Sequence, residues 1–111
     1  MSLVHWDNVE ETIMENSARA RVVRTDQVMA CRIVAPAGIL TETHSHPFDQ
    51  ITHMVRGKLK FQIGDKEHKT VSPGDVLVVP AGTLHGGEVL EEAEYIDFFS
   101  DLNPMFPPTS N

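Results

Sequence analysis

Apolar and polar residues alternate with a period near two over short runs, and Gly, Pro and Asp break the runs. The pattern predicts strands over residues 19–24, 28–34, 40–43, 50–55, 58–63, 68–71, 76–79 and 95–99. Gly64 with Asp65, Pro73-Gly74-Asp75 and Pro80-Ala81-Gly82 read as turns between them. Only residues 8–18 show a mild helical tendency, on sparse apolar positions. Many short strands with frequent turns define an all-β sandwich or barrel. In the run 50–55, Gln50, Thr52 and Met54 share one face, while Ile51, His53 and Val55 share the other. By the same rule Tyr95, Asp97 and Phe99 point together, so a carboxylate stands between two aromatic rings, an unusual composition for a solvent face.

A chain of 111 residues has room for one domain, and no repeat or linker divides it. The barrel is expected over about 19–100, with the segment 1–18 and the Pro-rich tail 103–111 packed on it or on a partner. Nine basic against sixteen acidic residues give a net charge of −7, which argues against nucleic acid and anionic membranes as partners. An acidic small molecule stays admissible, since one metal ion or one arginine reverses the field inside a pocket. Cys31 is the only cysteine, so no intrachain disulfide can form; its strand-like surroundings point to a buried, inert thiol. With no signal-peptide pattern and no apolar run near the ~20 residues of a membrane span, the cytoplasm is the expected compartment.

His44 and His46, spaced i and i+2 in an extended chain, lie on one side and can reach one ion. Gln50 follows four residues later, and His85 stands just after the Pro80-Ala81-Gly82 turn. Imidazole with an oxygen donor suits a divalent transition ion: Zn, Ni, Fe, Mn or Co. His53, on the face opposite Gln50, and His5 and His68 are not expected to take part.

The arrangement resembles the cupin superfamily. Its first motif is met by Gly38, His44, His46, Gln50 in place of the family's Glu, and Gly57; its second by Gly74, Pro80, Gly82 and His85, with Val89 at the position of an Asn. The resemblance implies a single-domain jelly-roll barrel (a double-stranded β-helix) and metal-ligand roles for His44, His46, Gln50 and His85. An amide oxygen is neutral, so the ion would keep its full charge for Lewis-acid work and be held less tightly.

Within the superfamily, the run His44-Ser45-His46-Pro47-Phe48-Asp49-Gln50, the later Gly57, Gly64-Asp65, Gly74-Asp75 and Leu84-His85-Gly86, and the pair Asp97 and Phe99 look like the small pectin-degradation cupins. Those proteins convert unsaturated galacturonate into a linear keto sugar acid. The resemblance implies proton transfer by Asp97 and apolar walls for a sugar acid from Phe99 and Tyr95, and it includes a turn at Glu91-Glu92. The family also places an arginine a few residues after that Phe, where Asn103 falls here; Arg21 or Arg32 is the candidate replacement. A metal-dependent dioxygenase, a different metal-assisted lyase or isomerase acting on a small acid, and a non-catalytic metal or sugar-acid binding module are the rival readings. A homodimer is expected, with Trp6 a candidate contact.

Overall fold

The computed structural model describes residues 2–106. Its strands are β1 Glu11–Ile13, β2 Arg19–Arg24, β3 Met29–Ala35, β4 Leu40–His44, β5 Gln50–Ile63, β6 Lys69–Val71, β7 Val76–Val79 and β8 His85–Phe99. They join in one antiparallel sheet of order β1-β2-β3-β8-β5-β6, with β4 added on β8 and β7 on β5. The long strands β5 and β8 run side by side from Gln50↔Phe99 to Ile63↔His85. At one end β5 also pairs with β7 and β8 with β3; at the other β5 pairs with β6 and β8 with β4. The all-β barrel expected from the sequence is therefore present, with two strands shared between its halves.

Three local expectations are corrected. The predicted strands 50–55 and 58–63 are one strand, because Gly57 is a bulge within the ladder rather than a break. Its φ is +85°, and a Cβ there would run into the carbonyl oxygen of Glu92, so only glycine fits. The expected turn at Glu91-Glu92 lies inside β8, which begins ten residues before the predicted strand. Cross-strand cations hold those acids in the sheet: Lys58 faces Glu91, and Arg56 bonds Glu92 and Glu94. Residues 8–18 hold no α-helix; a single 3-10 turn at Trp6–Asn8 leads into β1, which adds an antiparallel strand to β2. Ser17, at φ 75°, and the Asn16 side chain, which accepts from the Ala18 N–H, shape the β1–β2 turn. Of the tail expected to pack on the barrel, residues 107–111 lie outside the described residues.

Period-two burial places Met29, Cys31, Ile33 and Ala35 of β3, Met54 of β5 and Ala93 and Phe99 of β8 in the core. Burial and the nearby Asp97 charge push the Cys31 thiol well above its ordinary range, so it stays protonated and inert, as its strand setting led us to expect. The same inner face carries Gln50, Thr52, His85 and Asp97, all buried. Such groups need partners or a purpose. They gather at one place.

Candidate metal centre

The tight approach of β4 to β8 starts from a glycine. A Cβ on Gly86 would sit 2.8 Å from the Thr41 carbonyl oxygen, so glycine lets β4 close in, with His44 paired to His85. Their rings then lie 4.4 Å apart between centroids, and the His46 ring lies 4.9 Å from His85. Phe48 stacks on His46 at 4.3 Å, and Phe61 lies over His85 at 6.1 Å, which restrains both rings.

Each Nδ1 sits 2.9 Å from a backbone carbonyl oxygen: Glu42 for His44, Phe48 for His46, Thr83 for His85. A carbonyl only accepts, so the proton sits on Nδ1 and each Nε2 is left with a lone pair. Ring nitrogens of the three histidines come within 4.8 Å of one another. The Nε2 of His85 is buried with no partner among the described residues, and burial, opposed by the Thr83 bond, lowers its pKa and keeps the ring neutral. Gln50 joins them: its Nε2 donates to Thr52 Oγ1 at 2.9 Å, which turns Oε1 toward His46 Nε2 at 3.0 Å. A neutral His46 has one proton for two acceptors, so one contact sets lone pair against lone pair; a shared cation relieves this. Orphaned donor atoms and an N/O ligand set with backbone-fixed tautomers fit a divalent transition ion.

Asp97 lies beside this group. Thr52 Oγ1 donates to its Oδ1 at 2.5 Å and Gln50 Nε2 at 3.5 Å, while Oδ2 has no partner among the described residues. Burial pushes its pKa up from 3.8 to about 6, against the opposing pull of Thr52, His46 and Gln50. His44, Gln50, His85, Tyr95, Asp97 and Phe99 all line one cavity of about 110 Å³. Tyr95 is drawn upward in pKa by burial and then by Asp97, so its hydroxyl keeps its proton. The structure thus brings together all seven residues singled out from the sequence, His46 standing behind the cavity wall in contact with Gln50.

The candidate arginines do not come to it. Arg32 faces the outer side and bonds Glu94 at 2.7 Å; Arg21 bonds the Trp6 carbonyl and lies near Asp7 and Glu11. Period-two geometry explains why, since both alternate with buried residues on their strands. His53 is exposed on the outer face and His68 lies outside the cluster, as expected. Thr52, Phe48 and Phe61 were not singled out, and Asn103 was noted only as standing where the family has an arginine. Thr52 was within reach, two residues from Gln50 on the same strand face; Phe61 was hidden because the bulge at Gly57 shifts the alternation.

An antiparallel barrel that gathers three imidazoles and an amide from β4, the following loop, β5 and β8 is a jelly roll whose three histidines could hold a metal ion. Residues 32–99 match the cupin domain model, and the chain belongs to that family. KdgF from a Halomonas species is similar at 28% identity, with 92% of this chain and 96% of that one covered and a TM-score of 0.84. An RmlC-like cupin from Shewanella frigidimarina superposes at TM-score 0.87 with 21% identity, covering 96% of each chain, a likeness of fold alone. The nitrosourea synthase of Streptomyces achromogenes subsp. streptozoticus is 33% identical over 57 residues, 51% of this chain; the chain spans 12% of that protein's length. No described helix is long and apolar enough to cross a membrane.

Proposed function

We propose that the chain is a metal-dependent cupin enzyme that opens and tautomerises an unsaturated uronate to a linear keto acid. The observation that carries the reading is the buried Asp97, held at Oδ1 by Thr52 and lining the same cavity as His44 and His85. A divalent ion held by His44, His46, Gln50 and His85 would supply Lewis-acid polarisation of a substrate oxygen. Similarity to KdgF at 28% identity over nearly the whole chain supports the choice of substrate.

The reaction is an isomerisation. The anomeric hydroxyl loses a proton, the C1 to ring-oxygen bond breaks to leave an aldehyde, and the released electron pair forms an enolate whose carbon then takes a proton. A single carboxyl group can accept the first proton and return the second. Burial favours the protonated form of Asp97, the direction needed for a carboxyl that must return a proton as well as accept one. Thr52 and Gln50 fix Oδ1, so Oδ2 is the oxygen that carries the proton. Phe99, 4% exposed, and Tyr95 wall the cavity and keep water from the intermediate. At about 110 Å³ the cavity is below the ~150 Å³ that encloses benzene, so only the reacting part of a sugar ring enters it.

The same reading includes a cytoplasmic homodimer. On the outer face Val23, Ala30, Phe98, Ile51 and Val78 are successive register partners across five strands. Phe98 is 44% and Val78 62% exposed, an apolar stripe suited to a second copy. Light scattering on the purified protein tests this: a dimer that Phe98→Lys converts to monomer supports it, and a wild-type monomer overturns it.

The function is tested by giving the metal-loaded protein the products of pectate lyase and following loss of their ultraviolet absorbance. Decay faster than the spontaneous rate, abolished in Asp97→Asn, is the expected result; decay at the spontaneous rate overturns the assignment.

A further inference from the structure

The Gln50 amide has two orientations, and they are not equivalent. As it stands, Oε1 faces His46 Nε2 at 3.0 Å and Nε2 faces Thr52 Oγ1 at 2.9 Å. With the His46 proton on Nδ1, against the Phe48 carbonyl, its Nε2 has only a lone pair to offer. An amide turned end for end would donate an N–H to that lone pair, the better contact when no ion is present. It would also turn the Gln50 oxygen away from the three histidines and put an NH2 in its place. Whatever opposes the turn keeps an oxygen donor in the ligand set.

Thr52 opposes it, because its hydroxyl has a single hydrogen to give. The residue is 3% exposed, so water is not there to take either role. That hydrogen goes to Asp97 Oδ1 at 2.5 Å, a shorter bond than the contact with Gln50. Toward Gln50 the hydroxyl therefore presents lone pairs, and the amide must donate. A turned amide would set its oxygen against those lone pairs, and near Asp97 Oδ1, which lies 3.5 Å from the amide nitrogen as it stands. The register pair Thr52↔Asp97 on the adjacent strands β5 and β8 holds the two side chains together.

We propose that Thr52 is a positioning residue of the metal centre: by donating to Asp97 it locks the Gln50 amide with oxygen, and not nitrogen, toward the histidines. The inference rests on Gln50 as a metal ligand and is independent of the substrate. Hydrogen-bond polarity runs one way, from Gln50 to Thr52 to Asp97. A side chain outside the ligand set thus decides which atom an ion meets.

The test is cobalt(II) titration of chelator-treated wild type, Thr52→Val and Thr52→Ser, read by visible absorption and by competition with a chelator. Valine keeps the shape and removes the hydroxyl; serine keeps the hydroxyl. Thr52→Val should bind cobalt about 10–100-fold more weakly, the usual loss when a group that orients a ligand is removed, and its absorption bands should change. Thr52→Ser should stay close to wild type in both. Circular dichroism checks that the variants are folded, and Thr52→Ala, also without the hydroxyl, stands in if the valine variant is not. Wild-type affinity and bands in the variant lacking the hydroxyl overturn the inference while sparing the ligand set. A serine variant as weak as the valine one assigns the loss to packing, and likewise overturns it. Absence of cobalt binding to wild type removes the ligand set and the inference together.

Discussion

Replacing Asp97 with Asn in the metal-free protein should change the sign of the residue's effect on stability as pH is raised. Desolvation lifts the folded-state pKa from 3.8 to about 6, while in the unfolded chain it returns to its ordinary value. The native state therefore binds the proton more tightly, and the stability this confers is fully present below pH 3.8 and is lost as pH rises through 6. At about 1.4 kcal/mol per tenfold change in proton affinity, the interval amounts to roughly 3 kcal/mol, of which ~2.4 falls between pH 4 and pH 8. Asparagine has no such penalty. It keeps an acceptor for Thr52 and adds a buried NH2, but that cost does not vary with pH and cancels on comparing two pH values. His85, whose lowered pKa removes stability as pH falls, is common to both proteins and cancels too. Urea unfolding of both proteins with chelator at pH 4 and pH 8 is the assay. With an m value of about 1–2 kcal/mol/M, the variant's midpoint should gain ~1–2 M on the wild type between the two conditions. A difference constant to within ~0.5 kcal/mol would show that Asp97 titrates as an ordinary carboxylate and would refute the acid–base role built on its burial.

Three further outcomes are expected. His46→Ala should lower metal affinity by more than ~10-fold, read by elemental analysis after dialysis, while circular dichroism keeps the strand signal; unchanged metal content removes His46 from the ligand set. Gln50→Glu should hold metal more tightly yet set a second carboxylate beside Asp97, where the amide now donates at 3.5 Å. Like charge favours the protonated Asp97, so the acid limb of the pH–rate profile should move to higher pH, and a limb that stays or falls contradicts the contact. Gly57→Ala, at φ +85° and against the Glu92 carbonyl, should cost about 2 kcal/mol or more, seen as a lowered thermal midpoint; a wild-type midpoint would mean the bulge is dispensable.

The shared face of Gln50, Thr52 and Met54, and that of Tyr95, Asp97 and Phe99, were legible because a period of two needs no tertiary information. The meeting of the two faces was not, since it depends on the pairing Thr52↔Asp97 across 45 residues of chain. Gly57 read as a boundary because a lone glycine marks a bend and a bulge alike; only the partner strand distinguishes them. The acids of β8 read as a turn because Arg56, Lys58 and Arg32, which neutralise them, are distant in sequence. Arg32 looked available for a substrate for the same reason, although Glu94 already holds it. Asn103 could be noted at its position, but its burial depends on a return of the chain that no local pattern announces.

The pairing His44↔His85 and Thr52↔Asp97 means that the ladder itself keeps these groups aligned. Inserting one residue within the first turns of β5 would exchange its faces, sending Gln50 and Thr52 to solvent and bringing Ile51 and His53 inward. Extra residues in the exposed connection after Gly64 would leave that alignment untouched. Length variation among descendants of this chain should therefore collect in exposed connections such as the one after Gly64 and be absent between Gln50 and Met54.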